Sequence, residues 1–197
     1  MSSSDPFVLS IRKRLDHSEY SFPGEDENVR MAAVLVPLIH KDGEWQLLFT
    51  RRSAELVEHS GEVSFPGGSV EKGDRDFIQT ALRETWEETG IPSSKIEILG
   101  DLNLFWTVSH YCLKPIVGVV DWPLPLTLNP PEVERAFSIP LSWLADQSNW
   151  QEVLWQSTNG GMVPVIIYNP FDGEKLWGIT AKITQEFLRK IQKMPEV

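Results

Sequence analysis

Cysteine is almost absent from this chain: Cys112 is the only one among 197 residues, so no internal disulfide can form and no zinc site can be built on thiolates. That usage fits a reducing compartment. Long apolar runs are missing as well. No stretch approaches the roughly 18 residues that a membrane-crossing helix needs, and "MSSSDPFVLSIRKRLDHSEY" at the N-terminus lacks the apolar core and cleavage site of a secretory signal. The expected location is therefore cytoplasmic, with no membrane partner. Basic charge is in deficit, with 18 Lys and Arg against 28 Asp and Glu, a net charge of −10. Proteins that track duplex nucleic acid need basic stripes to displace condensed counterions, so no nucleic-acid partner is expected. The deficit leaves room for a phosphorylated small molecule, which would arrive with divalent cations or meet a local basic patch. Internal repeats and low-complexity tracts are also lacking.

What is present is a chain 41% hydrophobic and 23% charged, the composition of a globular domain able to bury a core. Residues 7–15 have apolar positions at helical spacing, and the polar stretch after them reads as a loop, so residues 1–28 are expected to pack on or beside a main domain spanning 29–197. "MAAVLVPLI" (31–39) and "EWQLLFTRR" (44–52) flank a "KDG" turn and read as a hairpin of two buried strands. The glycine-rich "FPGGSVEKGD" leads into a helix that Asp74 or Asp76 can cap, with Asp76 and Gln79 in capping-box spacing and Gly90 as the stop. Its apolar stripe reads as Ile78, Ala81, Leu82, Thr85 and Thr89, opposite the arc of Glu84, Glu87 and Glu88. Downstream, 95–106 and 111–122 read as strands, the second central. Residues 123–146 mix prolines with a short helical stretch, 162–169 form a strand, and the chain closes with an amphipathic helix carrying Ile179, Ile183, Phe187 and Ile191. Alternating strands and helices predict an α/β layered domain around a mixed sheet.

The chemistry concentrates in "ALRETWEETG" (81–90). Glu84, Glu87 and Glu88 stand at offsets 0, 3 and 4, which aims their carboxylates from one side of a helix. Mg²⁺ and Mn²⁺ take hard oxygen ligands, and one helix can offer several only at that spacing. Arg83 can pair with Glu87 one turn on or with Asp74 before the helix, and either contact would orient a ligand. Gly67 and Gly68 allow close backbone approach, and a carbonyl there can add an oxygen. A glutamate-rich helix taken alone is commonly a solvated face. The glycine loop, the caps and the arginine beside three acids form an ordered set that a solvated face does not require.

Those residues resemble a known family. "GGSVEKGDRDFIQTALRETWEETGI" is similar to the Nudix box, G-x5-E-x7-R-E-U-x-E-E-x-G-U with U aliphatic, matched at Gly68, Arg83, Glu84, Glu87, Glu88, Gly90 and Ile91. Three positions depart: the first acid is Asp74, its spacing to Arg83 is one residue longer, and Thr85 replaces an aliphatic. The first two features, with the upstream "LLFTRRSAELVEHSGEVSFPGG" (47–68), resemble the bacterial coenzyme A pyrophosphatase branch. Val57 stands where that branch usually has arginine, Glu62 where glutamine is common, and His110 and Tyr111 where a glycine and an aromatic are frequent. The resemblance spans roughly residues 30–190.

It implies a Nudix fold, a mixed β-sheet sandwiched between α-helices, and hydrolysis of a diphosphate bridge in a nucleoside diphosphate derivative with Mg²⁺ or Mn²⁺. For coenzyme A or its acyl derivatives the products would be 3′,5′-ADP and 4′-phosphopantetheine. ADP-ribose, dinucleoside polyphosphates and nucleoside triphosphates are the alternative substrates, and a catalytically silent nucleotide-binding domain is a third reading. The implied catalytic set is Arg83, Glu84, Glu87, Glu88 and, from "NPPEVERAF", Glu132, with Glu84, Glu87, Glu88 and Gly68 as metal ligands. Arg51, Arg52, His59, Gly67, Gly68 and Trp106 are the substrate-binding candidates, Trp106 as a platform for an adenine. Cys112 reads as a small buried residue, and a homodimer is compatible with the sequence.

Overall fold

The computed structural model describes residues 5–17, 29–56, 59–107, 111–156 and 160–191. Asp5 caps a first helix, α1 (Pro6–Arg12), by accepting from the amides of Phe7 and Val8. It ends earlier than expected, and Leu15 is buried from the turn that follows. The expected hairpin forms between β1 (Arg30–Lys41) and β2 (Glu44–Arg52), in register from Lys41↔Glu44 to Leu38↔Leu47. Asp42 and Gly43 turn it with φ of 53° and 85°, the positive pair that matches the twist of the flanking strands. Past Leu38 the strands separate. β2 turns to β3 (Val63–Ser64), and β1 takes β4 (Gly67–Ser69) with Ala32 opposite Ser69. Pro37 is tolerated in a central strand because it falls in that handover. The Leu35 amide reaches the carbonyl of Pro66 at 2.9 Å; at Pro37 the same edge faces the gap between β4 and β2, where no donor is needed.

The helix α2 (Phe77–Thr89) follows, then β5 (Ile96–Asp101), β6 (Phe105–Trp106) and β7 (Tyr111–Val120). The stretch 95–106, expected as one strand, is therefore two, broken at residues 102–104. β7 is central as expected, parallel to β1 and antiparallel to β5 and β6. β8 (Val133–Pro140) pairs with β2 from Gln46↔Pro140 to Arg52↔Val133, where a loop and short helix were expected. Flanking prolines hid an alternation in which Val133, Phe137 and Ile139 are buried. The short helix is α3 (Leu141–Ala145). A separate ribbon pairs β9 (Trp150–Gln156), which was not anticipated, with β10 (Met162–Tyr168), and α4 (Gly178–Lys190) closes the fold.

Helices cover both faces of the eight-stranded mixed sheet. On one, Val36, Leu38, Leu47, Phe49, Val117 and Val119 meet Val8 and Ile11 of α1, Leu141 and Leu144 of α3, and Ala181, Ile183, Phe187 and Leu188 of α4. On the other, Ala33, Leu35 and Ile116 meet Phe77 and Ala81 of α2. Each fully buried aliphatic or phenyl side chain contributes roughly 1.5–3 kcal/mol relative to exposure, so the sheet is a stiff platform against which α2 is oriented. No helix among the described residues is long and apolar enough to cross a membrane.

Candidate active site

Both ends of α2 are fixed by its sequence. Asp76 caps the start, its side chain accepting from the Gln79 amide at 2.8 Å, while Gln79 turns back to the Arg75 amide at 3.1 Å instead of closing the box on Asp76. Gly90 stops the helix in the left-handed region, φ 73°, which glycine adopts without strain. The buried side is Phe77, Thr80, Ala81, Thr85, Glu88 and Thr89. That corrects the expected stripe: Ile78 and Leu82 are only half-buried, Trp86 is exposed, and Glu88 faces inward with 2% exposure. Thr85 fits where an aliphatic is usual because its hydroxyl donates to the Ala81 carbonyl at 2.6 Å, leaving only its methyl to pack.

Arg83 resolves its two candidate partners by taking both. Its Nε and Nη2 grip Asp74 at 3.2 and 2.9 Å, Nη2 also reaches the Ser69 carbonyl at 3.0 Å, and Nη1 donates to Glu84 Oε1 and Glu87 Oε2, each at 3.0 Å. Burial pushes the Asp74 carboxyl up, but hydrogen bonds from Arg83, the Glu71 amide and Thr80 outweigh it and its pKa lies below the usual value. The guanidinium thus ties the glycine loop, the pre-helix acid and two helix glutamates into one unit.

Glu84 is mostly buried, and burial lifts its pKa despite Arg83. Gly68 lies flat against it: a Cβ there would come within 2.5 Å of the carboxylate, so only glycine lets β4 approach this closely. Glu88 is the most perturbed group. Burial, reinforced by Glu84 and Glu132 against the opposing charge of Arg52 and a Gly67 amide, raises its pKa to about 8. Its Oε2 is buried with no hydrogen-bond partner. Glu132 arrives from a turn hung on α2 itself: the Asn129 amide donates to the Glu88 carbonyl at 3.1 Å, and Asn129 Nδ2 donates to Glu132 Oε1 at 3.0 Å. Asn129 and Ser69 were not foreseen as site residues. The Asn-Pro-Pro-Glu turn is the one signal that points to Asn129.

The two arginines ending β2 part company at an irregularity opposite Glu134, where Arg51 pairs with Arg135 but Arg52 with Val133. Arg51 joins a separate ion network, bonding Glu134 and lying 3.3 Å from Glu174, whose Oε1 also accepts from Arg135 at 2.9 Å. Arg52 acts on Glu88 and keeps a buried Nε without a partner. His59, φ 57°, pairs with Glu62 at 3.0 Å in the exposed loop after β2, and the Glu62 carbonyl accepts from the Arg52 amide at 2.9 Å. Val57 and His110 lie outside the described residues. Trp106, 65% exposed, sits on the rim: from it through Cys112 and Met31 to Val70 are three strand spacings, about 14 Å. Cys112 is fully buried, and burial raises its thiol pKa.

Glu84, Glu88 and Glu132 thus form an arc of mutually repelling carboxylates beside Gly67 and Gly68. Among the described residues no three acidic, histidine or cysteine side chains close into a ready metal cage. The arc does fit a divalent cation: it offers hard oxygens, excess negative charge and a buried lone pair that no protein donor uses.

A family model described as NUDIX domain matches residues 29–158. A Photorhabdus laumondii protein named uncharacterized Nudix hydrolase NudL is 40% identical over 166 residues, covering 84% of this chain and 87% of its own. A Yersinia pestis protein of the same name is 36% identical over 177 residues, covering 90% and 85%. Among solved structures, a MutT/nudix family protein from Enterococcus faecalis superposes with a TM-score of 0.56 at 15% identity, over 98% of this chain and 76% of that one, a likeness of fold. With the box residues assembled as described, this chain belongs to the Nudix family of hydrolases.

Proposed function

We propose that this chain hydrolyses the diphosphate bridge of coenzyme A or its acyl derivatives, with Mg²⁺ or Mn²⁺, to 3′,5′-ADP and 4′-phosphopantetheine, residues 29–197 forming the catalytic unit and 1–28 packing on or beside it. The observation that carries the metal-dependent reading is Glu88: a carboxylate 2% exposed, with an unpartnered oxygen and two further acids acting on it. Burying such a group without a counter-charge is costly, and a cation removes the cost. The coenzyme A reading is supported by the match of residues 47–68, a stretch that brings Arg52 beside Glu88 and ends on Gly67, whose amide acts on Glu88, and Gly68, which faces Glu84.

Glu84, Glu88 and the Gly68 carbonyl are the proposed metal ligands, and Glu87, held by Arg83, is a further ligand or base. A bound divalent cation supplies charge neutralisation for the diphosphate oxygens and acidifies water. Arg83 positions Glu84 and Glu87. Arg52 is the phosphate-binding cation, a task for which Arg51 is less available because Glu174 and Glu134 occupy it. Glu132, tethered by Asn129, takes the proton of the attacking water as the new P–O bond forms and the bridging P–O bond breaks. His59 pins the loop through Glu62, and Trp106 offers a rim platform for the base.

One feature favours a different diphosphate, such as ADP-ribose, a dinucleoside polyphosphate or a nucleoside triphosphate. Glu62 puts a carboxylate, paired with His59, where a neutral amide would receive a phosphate more readily. Side-by-side hydrolysis of these compounds and of coenzyme A, with each metal, decides. A large excess in kcat/KM for coenzyme A supports the proposal, preference for another compound redirects the substrate, and no turnover of any by a protein that binds Mg²⁺ points to a silent domain.

A further inference from the structure

The ribbon of β9 and β10 carries a cluster of apolar side chains that the fold leaves uncovered. Leu154, Trp155 and Met162 are 68%, 55% and 58% exposed, and Val153, Val163 and Val165 are half-buried beside them. From Trp150 to Tyr168 the only charged residue is Glu152. A two-stranded ribbon is marginal in water unless a further strand or layer covers it. Its root is covered, since Trp150, Ile166 and Tyr168 pack into the main core, but the outer half is not.

The two edges of the ribbon differ. The Tyr168 amide turns away from β9 to the Leu176 carbonyl at 2.9 Å, and Asn169 turns towards it, donating to Asn149 at 2.7 Å. Backbone groups alternate along a strand, so the pairs Trp150↔Tyr168, Glu152↔Ile166, Leu154↔Pro164 and Gln156↔Met162 point their N–H and C=O outward. Pro164 therefore blunts the outer edge of β10, the usual protection against an incoming strand. β9 has no such device: no proline, no lysine, and no described partner for the outward backbone groups of Glu152, Leu154 and Gln156.

We propose that β9 pairs antiparallel with β9 of a second copy of this chain across a two-fold axis at Val153, making a four-stranded sheet. Self-pairing is selected by charge and register. Two copies of net charge −10 repel except where their surfaces are nearly uncharged, and this ribbon is such a place. Centring on Val153 uses the whole strand, sets Glu152 opposite Leu154 and Trp150 opposite Gln156 as hydrogen-bonded pairs, and keeps the two Glu152 carboxylates from facing each other. Val153 then meets its symmetry mate in a non-hydrogen-bonded pair, with Cα atoms about 4.5 Å apart, within disulfide range.

The test uses the full chain. Light scattering behind gel filtration at high micromolar concentration is expected to give twice the 22.4 kDa chain mass. V153C is expected to yield a covalent dimer on oxidation that reductant reverses, with the native Cys112 buried and silent. L154P, which blunts β9 as Pro164 blunts β10, is expected to run as a folded monomer with unchanged circular dichroism. V153K, which sets two ammonium groups face to face, does the same where the proline loosens the ribbon. A wild-type monomer overturns the proposal. So does a dimer that survives in folded L154P and V153K, or one in which V153C fails to cross-link, since either places the contact elsewhere.

Discussion

Two arginine-centred ion networks lie on this domain, and they differ in what is left over. Around Arg135 and Arg51, the buried Glu174 accepts from both guanidinium groups while Glu134 takes Arg51 Nη2 and Asp172 takes Arg135 Nη2, leaving Arg51 Nε buried without a partner. Every carboxylate there has a cation. Around Arg83 a single guanidinium serves Asp74, Glu84 and Glu87, and Glu88 and Glu132 lie beyond its reach, Glu88 opposed by the charge of Arg52 and a Gly67 amide yet with its pKa raised to about 8. The first network sets two guanidinium groups against three carboxylates, each of which is paired, and reads as a clamp joining β2, β8 and the turn before α4. The second is short of positive charge, and its unsatisfied oxygen is buried. Ion pairs as such do not distinguish a working site from a structural one. A buried carboxyl pushed out of its usual range, with an oxygen that no donor reaches, does.

The sharpest way to break the comparison is to neutralise the surplus. Glu88→Gln keeps the shape of the side chain and removes the charge that would hold the cation, so kcat for the best substrate should fall roughly 10²–10³-fold, and Mg²⁺ affinity measured by calorimetry should fall with it. The variant should fold at least as stably as the parent. Unchanged turnover and affinity would remove Glu88 from the site. Glu132→Gln should cost less in metal affinity than in kcat, because its proposed role is with the proton; a near-normal rate would leave it as a turn residue.

Removing the central cation of each network comes next. Arg83→Ala strands Asp74, whose side chain is 3% exposed, and should cost on the order of 3 kcal/mol together with most activity, since Glu84 and Glu87 lose their anchor. Glu174→Gln should cost stability on a similar or smaller scale, read by urea unfolding, and leave kcat within a few-fold. If Glu174→Gln abolished activity with the fold intact, the two networks would be one machine and the contrast between them would fail.

Much of this was legible in the residues because short-range rules decide it. The β1–β2 turn and the Asp76 and Gly90 caps are local, and each appears where spacing predicts; the i, i+3, i+4 glutamates share the helix but not one face, since Glu88 turns to the buried side while Glu87 stays exposed. The site's third carboxylate was found only through its motif, because the turn that presents Glu132 is hung from the Glu88 carbonyl by a contact distant in sequence that no periodicity records. Helix rotation was misread for a related reason. Ile78 and Leu82 look like core, but the sheet meets α2 along Phe77, Ala81 and Thr85, and the threonines qualify for burial only by bonding the preceding turn. β8 escaped because proline flanks mask a strand whose partner, β2, is distant in sequence, and β9 because it is exposed along nearly its whole length and shows no buried alternation, although its partner β10 is the next strand.

The surplus charge also predicts a pH dependence. In protein stripped of metal by chelator, Glu88 holds a proton up to about pH 8, whereas in the unfolded chain it releases it near the usual carboxylate value of about 4.3. Between those values the folded state binds more protons than the unfolded state, so stability is greatest below the unfolded value and is lost as pH rises through the folded one. The metal-free protein should therefore lose about 1–3 kcal/mol between about pH 6 and pH 9 from this group, and Glu88→Gln should flatten the trend. A metal-free parent as stable at the upper pH as at the lower, or a Glu88→Gln variant with the same slope, would show that the carboxylate is not held in surplus.

Gly68 offers the mildest perturbation and the most local one. A methyl at this position would sit 2.5 Å from the Glu84 carboxylate, which is the movable end of a side chain, so Gly68→Ala should displace that carboxylate without disturbing β4. Stability should change by less than about 1 kcal/mol, while kcat should drop roughly tenfold, a misplacement effect equal to about 1.4 kcal/mol. The Arg51–Arg135 network has no such cross-strand contact: Gly173 precedes Glu174 in the same turn, and a Cβ on it would meet nothing within 4 Å beyond its chain neighbours. Full activity in Gly68→Ala would mean that Glu84 acts from another position than the one it holds against the glycine loop, and the arc of ligands would then have to be drawn from Glu87 and Glu88 instead.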